Sequence, residues 1–300
     1  QIININGAEI HFDNHIEMFT ASGSASTTTI NMTDGLLTTD ANLYAPRSDA
    51  SSANATINLS GGMILCKGEF GHGSDNWYMD VNDAHGPCLM RVGGDAVTAI
   101  NQATTDGRFT HSVTNPDNAF RLKYMSEGPV SYVGVLPKNQ AWGPVPYDGQ
   151  ENVSVTVTLV WNPGDDASSH DVYFGTDKQA VEQATKTSLE YKGNRTNTSF
   201  APGYLENTTN YYWRIDEVDG VNVYKGNVWS FKTEKAPIPG DLDHDWDVDR
   251  DDLAIFVQEW GNRCRLGEWC GGRDINESGR VDFDDFAILA GNWLKEYHTP

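Results

Sequence analysis

Between residues 240 and 256 the chain reads GDLDHDWDVDRDDLAIF, with Asp at 241, 243, 245, 247, 249, 251 and 252. Carboxylates at that density repel one another unless a cation sits among them. Counted from Asp241, oxygen ligands fall at Asp241, Asp243, Asp245, the backbone carbonyl of Asp247, Asp249 through a water, and Asp252 as a bidentate twelfth residue. These are the positions that a twelve-residue Ca²⁺ loop requires, because a hard cation takes six to eight oxygens. Further along, DINESGRVDFDD puts Asp274, Asn276, Ser278, the carbonyl of Arg280, Asp282 and Asp285 in the same slots. A solvated acidic surface would explain one such run; a second copy argues for two Ca²⁺ sites. Val248 and Val281 hold position eight, where the side chain is expected to face inward and meet its counterpart. Position six, normally Gly because the loop turns sharply there, is Trp246 in the first loop and Gly279 in the second. A non-Gly residue at that turn implies backbone strain and a weaker first site.

Each loop must be held in place by the segment C-terminal to it. After the first, Leu253, Phe256, Val257 and Trp260 recur at helical spacing. In the second copy Phe286, Ile288, Leu289 and Trp293 align with Leu253, Ile255, Phe256 and Trp260. This duplicated loop and helix, over residues 239–294, resembles a type I dockerin, a Ca²⁺-dependent module that docks onto cohesin domains. The resemblance implies a small α-helical module with paired EF-hand-like loops, and a cohesin-like or other extracellular protein as partner. In cellulosomal dockerins positions ten and eleven are often Ser-Thr and read the cohesin; here they are Arg250-Asp251 and Phe283-Asp284. Those four residues are the partner-binding candidates, and their departure from Ser-Thr leaves the partner and any symmetric two-way docking open. Cys264 and Cys270 lie between the two halves, where a bridge would close a small loop and staple a small domain. The Cys pair and the NWL ending are similar to the C-terminal modules of planctomycete-type secreted proteins.

The 300 residues carry 42 acidic and 21 basic side chains, a formal net charge of −21. That balance excludes nucleic acid and anionic membrane surfaces as partners and leaves cations, neutral polymers or proteins. The chain contains no run of 18 apolar residues, so no membrane-spanning helix is expected. It begins without Met or a signal peptide, which fits either a removed leader or the C-terminal part of something longer. Cys66, Cys88, Cys264 and Cys270 form no Cys-x-x-Cys pair. Two disulfides in an oxidising, extracellular or cell-surface setting fit that count better than zinc, with Cys66 and Cys88 as the second pair. Four buried free thiols are the alternative.

Upstream, ININGAEIHFDNHI (3–16), INMTDGLLTTDANL (30–43) and INLSGGMILCKGEF (57–70) repeat at an offset of 27 residues, and a weaker copy starts at Leu89. Period-two alternation inside a longer fixed period predicts coils of a β-solenoid (β-helix), each coil burying its neighbour's inward face. A Greek-key sandwich would alternate too, without copies at constant spacing. Asp95 is placed to cap a helix carrying Val97, Ile100 and Ala103 on one face. That helix and the strands after it are expected to cap the solenoid, whose open end would expose unpaired edges. Residues 140–233 hold short alternating strands between Gly, Pro, Asn and Asp turns, the pattern of a small antiparallel sandwich. In LENTTNYYWRI, Leu205, Tyr211, Trp213 and Ile215 point to one side. Thr209, Tyr211 and Ile215 give this stretch a resemblance to a fibronectin type III (Ig-like) domain, with Asn207 where that family has Pro. Trp161 and Trp229 are then core residues.

The fold class is therefore mainly β, in four segments: 1–139 a solenoid with cap, 140–233 a sandwich, 234–239 a linker, and 240–300 the helical Ca²⁺ module. Solenoids also host polysaccharide lyases and glycoside hydrolases, which need clustered carboxylates on neighbouring coils. Glu9 with Asp13, Asp34 with Asp40, and Lys67 with Glu69 are scattered, and no catalytic residue is assigned. The stretch GEFGHGSDNWYMD, with His72, Asp75 and Asp80, is the most site-like loop and reads as a solvated insertion between coils. No nucleophile elbow, Walker loop, dinucleotide fingerprint or zinc spacing occurs. The expectation is a non-catalytic extracellular modular protein that docks through its Ca²⁺ module in cell-surface or polysaccharide-degrading assemblies. The alternatives are the C-terminal part of a carbohydrate-active enzyme, with a glycan as ligand, or a self-associating structural subunit.

Overall fold

The computed structural model describes residues 2–14, 16–17, 27–44, 54–71, 77–265 and 267–295. The chain is mainly β and divides into two compact units, residues 1–233 and 234–300. No helix among the described residues is long and apolar enough to cross a membrane.

The first unit opens with a β-solenoid-like stack. Strands β1 (Ile2–Ile5), β2 (Ala8–Phe12) and β3 (Ile16–Glu17) form one coil, and β4 (Thr27–Met32), β5 (Gly35–Thr39) and β6 (Leu43–Tyr44) the next. β7 (Asn54–Leu59) and β8 (Gly62–Gly71) follow, then β9 (Trp77–Asn82) and β10 (Cys88–Gly93). All these coils pair in parallel. The register places Ile3 on Ile30 on Ile57, Leu37 on Ile64, and Ile16 on Leu43 on Phe70. The 27-residue sequence period is thus the register itself, and equivalent side chains stack on one another. Ile5, Met32 and Leu59 share the inner core, while Asn4, Asn31 and Asn58 form an outer ladder bonded at 2.8 and 2.7 Å.

Two expectations change here. Trp77–Asn82 is a coil strand, with Trp77, Met79 and Val81 buried, and not part of a solvated insertion. It pairs Ala55 with Trp77, an offset of 22 that departs from the repeat and hid it. Asp80 sits on this strand; His72 and Asp75 lie outside the described residues. The second change concerns Cys66 and Cys88, which are free, buried thiols. Cys88 stands opposite Gly62, four residues from Cys66 along β8. At roughly 3.3 Å per residue that separates the two by about 13 Å, twice what a disulfide spans. Burial pushes the Cys66 thiol up to about 12 and the Cys88 thiol up to about 11, so neither is a nucleophile at neutral pH.

After β10 comes helix α1 (Val97–Thr105), with Ile100 and Ala103 buried against the solenoid core. Asp95 accepts from the Val97 N–H at 2.9 Å, although Ala96 occupies the cap position itself. β11 (Phe109–Ser112) adds to the β9 edge, and β12 (Asn118–Met125) and β13 (Val130–Pro137) close the other sheet, β13 antiparallel to β10.

Asp83, in the turn after β9, ties this closing layer down. Its carboxylate accepts from the Thr114 N–H and hydroxyl at 2.7 Å each, and from Asn115 N–H and Asn118 Nδ2 at 3.0 Å. Burial alone would raise its pKa, but these four donors favour the charged form and hold it well below the usual carboxylate range. A depressed folded-state pKa contributes stability that is full above the unfolded value, about 3.9, and is lost as pH falls through the folded one. Asp83→Asn is expected to cost about 3 kcal/mol at neutral pH, because it sets an amide NH₂ against donors. Urea melts from pH 7 downward, followed on the first unit, should show that deficit shrinking in acid. A deficit equal at every pH would contradict this account of the carboxylate.

The rest of the unit is β14 (Trp142–Val145), β15 (Gln150–Val153), β16 (Leu159–Asn162), β17 (Ser169–Gly175), helix α2 (Lys178–Gln183), β18 (Tyr191–Arg195), β19 (Ser199–Phe200), β20 (Asn210–Val218), β21 (Val223–Tyr224) and β22 (Val228–Thr233). They build a three-stranded sheet, β14-β16-β19, and a six-stranded one ordered β15-β22-β20-β17-β18, with β21 on β20. Both sheets contribute to one apolar cluster, in which Trp161, Leu205, Trp213 and Ile215 are nearly inaccessible and Tyr211 and Trp229 are buried. The boundary expected at 139/140 falls inside this unit. Met125, Val130 and Tyr132 of the solenoid cap share a cluster with Val145, and the Tyr132 hydroxyl donates to the Pro144 carbonyl at 2.7 Å.

The second unit is built on helix α3 (Arg250–Phe256) and helix α4 (Phe283–Gly291). Its core is Ile238, Val248, Phe256, Val281 and Leu289. The expected linker at 234–239 therefore supplies a core residue, Ile238. The structure has a Cys264–Cys270 disulfide in the segment between the helices.

Candidate metal centre

Each acidic loop ends in a helix cap that its own sequence dictates. Asp249 accepts from Asp251 N–H at 2.7 Å, while Asp252 reaches back to the Asp249 N–H at 2.8 Å. In the second loop Asp282 accepts from Asp284 N–H at 3.0 Å and Asp285 from Asp282 N–H at 2.9 Å. These reciprocal capping boxes fix positions nine and twelve and put Asp252 and Asp285 under the loops with no exposure at all.

The agreement continues bond by bond. Asp252 Oδ1 accepts from the Asp243 N–H at 3.3 Å, and Asp285 Oδ1 from the Asn276 N–H at 3.0 Å. Asp241 Oδ2 accepts from the Trp246 N–H at 3.2 Å, and Asp274 Oδ2 from the Gly279 N–H at 2.8 Å. Both loops turn through positive φ at positions four and six: 64° at His244 and 58° at Glu277, then 75° at Trp246 and 92° at Gly279. Gly occupies that conformation freely; Trp246 adopts it at a steric cost, as the loop pattern implies.

The two halves also hold each other. Leu294 N–H donates to the Val248 carbonyl at 2.7 Å, and Gly261 N–H to the Val281 carbonyl at 2.9 Å. Each position-eight backbone is thus paired with the segment after the opposite helix. Val248 and Val281 meet through their side chains, in the shared core, and not through mutual backbone bonds.

Around the first loop, ligand atoms of Asp241, Asp243 and Asp252 lie within 4.8 Å of one another, as do those of Asp247, Asp249 and Asp252. Asp247, expected to offer its carbonyl, brings its carboxylate into the cluster. Asp241 Oδ1 and Asp247 Oδ1 are buried and have no hydrogen-bond partner. Desolvation, followed by the Asp252 and Asp245 carboxylates, raises the Asp243 pKa; desolvation and then Asp245, Asp249 and Asp252 raise that of Asp247. Orphaned oxygens and like charges held together by the backbone are what a hard cation would satisfy, so the donor set fits an oxygen-ligated divalent ion. In the second loop Asp274 is nearly inaccessible, and the Ser278 hydroxyl lies 3.2 Å from the Arg280 carbonyl and 3.4 Å from Asp274 Oδ1.

On the helices, Phe256 and Leu289 are buried and Leu253 and Ile288 half-buried. Val257 faces solvent, because α3 ends at Phe256 and a 3₁₀ turn over Val257–Glu259 rotates it outward. Of the partner-binding candidates, Arg250, Asp251, Phe283 and Asp284 are all exposed. Phe283, 74% exposed, meets Trp260 edge-on with ring centroids 4.9 Å apart, and Phe286 lies 6.5 Å from Trp260. Trp260 and Phe286, which fall at helical spacing in the sequence, lie with Phe283 on a partly exposed aromatic patch.

One further cluster of this kind occurs among the described residues, His11, Asp13 and Asp40 on the first coils. Lys67 bonds Asp40 at 2.9 Å and lowers its pKa, and His11 lies 2.7 Å from the Thr38 hydroxyl. The cluster is exposed to water and Asp40 already pairs with Lys67, so it has no need of an ion. Asp34, one of the scattered carboxylates, accepts from the Gly35 N–H at 2.8 Å in a coil turn. Neither a family model nor a curated protein matches the sequence.

Proposed function

We propose that this chain is a non-catalytic, extracellular modular protein whose residues 234–300 form a dockerin-like module that binds two Ca²⁺ ions and docks a cohesin-like protein partner. The observation that carries the reading is the second hydrogen-bond network, which copies the first position by position around two oxygen-rich loops. Asp241, Asp243, Asp245, Asp247, Asp249 and Asp252 would hold one ion, and Asp274, Asn276, Ser278, Arg280, Asp282 and Asp285 the other. Calcium bound there supplies the positive charge that lets the loop carboxylates stay ionised at close quarters. The chain does the rest: the capping boxes aim α3 and α4, and the crossed backbone pairs hold the helices as one face. Trp260, Phe283 and Phe286 give that face an exposed apolar patch with Asp284 next to it in sequence, while Arg250 and Asp251 stand exposed at the start of α3, and aromatic side chains beside charged ones suit a docking surface. The two sheets of residues 140–233 fit a fibronectin type III-like spacer, since the Tyr211 hydroxyl accepts from the Glu206 N–H at 3.0 Å in the manner of a tyrosine corner.

Calorimetric titration of the metal-stripped full chain with Ca²⁺ tests the reading. Two binding events per chain are expected, absent from the chain truncated after Thr233. No heat from the full chain would overturn the metal assignment and the docking role with it.

A further inference from the structure

The first unit contains a cleft of about 670 Å³ that the docking role leaves unused. It lies where the outward face of the solenoid sheet meets the segment around β14, helix α2 and the β21–β22 turn. Strand alternation sends Met90 and Val92 of β10 into the solenoid core and Arg91 the other way, beside Leu65 of β8 and Tyr132 of β13.

Arg91 is 5% exposed and lines this cleft. Among the described residues no carboxylate lies within ion-pair distance of it. Its guanidinium stacks on Tyr147 at 3.7 Å and makes one long bond, 3.4 Å, to the Asp148 carbonyl. The Asp148 carboxylate accepts from the Ser230 N–H and hydroxyl and acts on Arg91 only through space, without an ion-pair contact. Arg91 Nε has no acceptor. Burial pushes the Arg91 pKa down, yet guanidinium stays protonated in proteins. A desolvated cation with no carboxylate in direct contact is costly, and an anion entering the cleft would relieve it.

The surroundings define that anion. Lys178 and Lys225 bring the cleft's cations to three, against Asp148 and Glu182, in a chain where acids outnumber bases two to one. Leu65, Leu89, Trp142 and Trp229 make the walls largely apolar, and the volume lies within the range of small-molecule pockets. We propose that the cleft binds small organic carboxylates with an apolar body, alkyl or aryl, the carboxylate at Arg91 and the body against those four side chains. A sugar acid has little apolar body to place against Leu65, Leu89, Trp142 and Trp229 and is expected to bind more weakly.

The test is calorimetric titration of the full chain with hexanoate, octanoate and 3-phenylpropionate, set beside 3-phenylpropionamide and galacturonate, each with and without EGTA. At least one apolar carboxylate should bind with a Kd of about 1 mM or tighter. The amide should bind at least tenfold more weakly, and EGTA should change nothing, since the cleft lies wholly within residues 1–233. Arg91→Met should lose at least tenfold in affinity while the first unit melts no lower, because an apolar side chain replaces an unpaired buried charge. Lys225→Gln, on the surface, should lose about twofold to threefold, the scale of a rim charge. The proposal is overturned if none of the three carboxylates saturates, if the amide or galacturonate binds as well, or if both variants bind like the parent chain.

Discussion

Stripping divalent cations with EGTA is expected to unfold residues 234–300 and to leave the melting of residues 1–233 where it was. Among its described residues the second unit has five buried core apolar side chains, Ile238, Val248, Phe256, Val281 and Leu289, too few to order so small a unit without help. It also holds Asp252 and Asp285 at zero exposure and leaves Asp241 Oδ1 and Asp247 Oδ1 unpartnered. A ligand that binds only the folded form stabilises it by about 4 kcal/mol at a thousandfold excess over Kd, so two sites supply about 8 kcal/mol. That is comparable with the whole stability of a small domain. The Cys264–Cys270 disulfide persists under EGTA and closes too short a loop, six residues apart, to compensate. A heat scan in Ca²⁺ should therefore show two transitions, and a scan in EGTA should show one, with far-UV helix signal reduced from the start. Superimposable scans would refute metal-dependent folding of this unit.

What the sequence reveals depends on whether the governing contacts are periodic. The 27-residue repeat is legible because in-register parallel stacking sets each residue on its own copy, as Ile3, Ile30 and Ile57 show. The paired loops are legible for the same reason: the acidic side chains that bond each loop's backbone recur at fixed positions. Trp77–Asn82 escaped because its offset of 22 breaks the period although its alternation, with Trp77, Met79 and Val81 inward, is intact. The Cys66–Cys88 pairing failed because a cysteine count carries no register. Arg91 is beyond sequence reasoning altogether. It alternates outward like any solvated arginine, and only the placement of Tyr147 over it, 56 positions later, turns it into a buried cation. The aromatic patch is an intermediate case. Phe283 directly after the capping Asp282 has to be exposed, but its contact with Trp260 needs the crossed pairing of the two halves.

That crossed pairing leads to the second large expected effect: Asp285→Ala should abolish both proposed Ca²⁺ binding events, not one. The substitution removes a proposed ligand of the second loop only. It also deprives the Asn276 and Asp282 N–H groups of their acceptors and breaks the capping box of α4. At about 1 kcal/mol for each stranded, part-buried donor and about 1 kcal/mol for the cap, the loss is about 3 kcal/mol before any metal term. The first loop cannot stand by itself against that. Its Val248 carbonyl is satisfied by Leu294, beyond α4, and its helix packs Phe256 into the cluster that Leu289 and Val281 complete. Once α4 frays, the first loop loses its backbone partner and its floor, so a single-loop folded state is not accessible. Calorimetric titration of the full-length variant should register no Ca²⁺ heat, while Arg250→Ala, at an exposed position, keeps both events. If Asp285→Ala retained one event of parental strength, the loops would be independent sites, and the picture of one cooperative docking face built from two halves would fall.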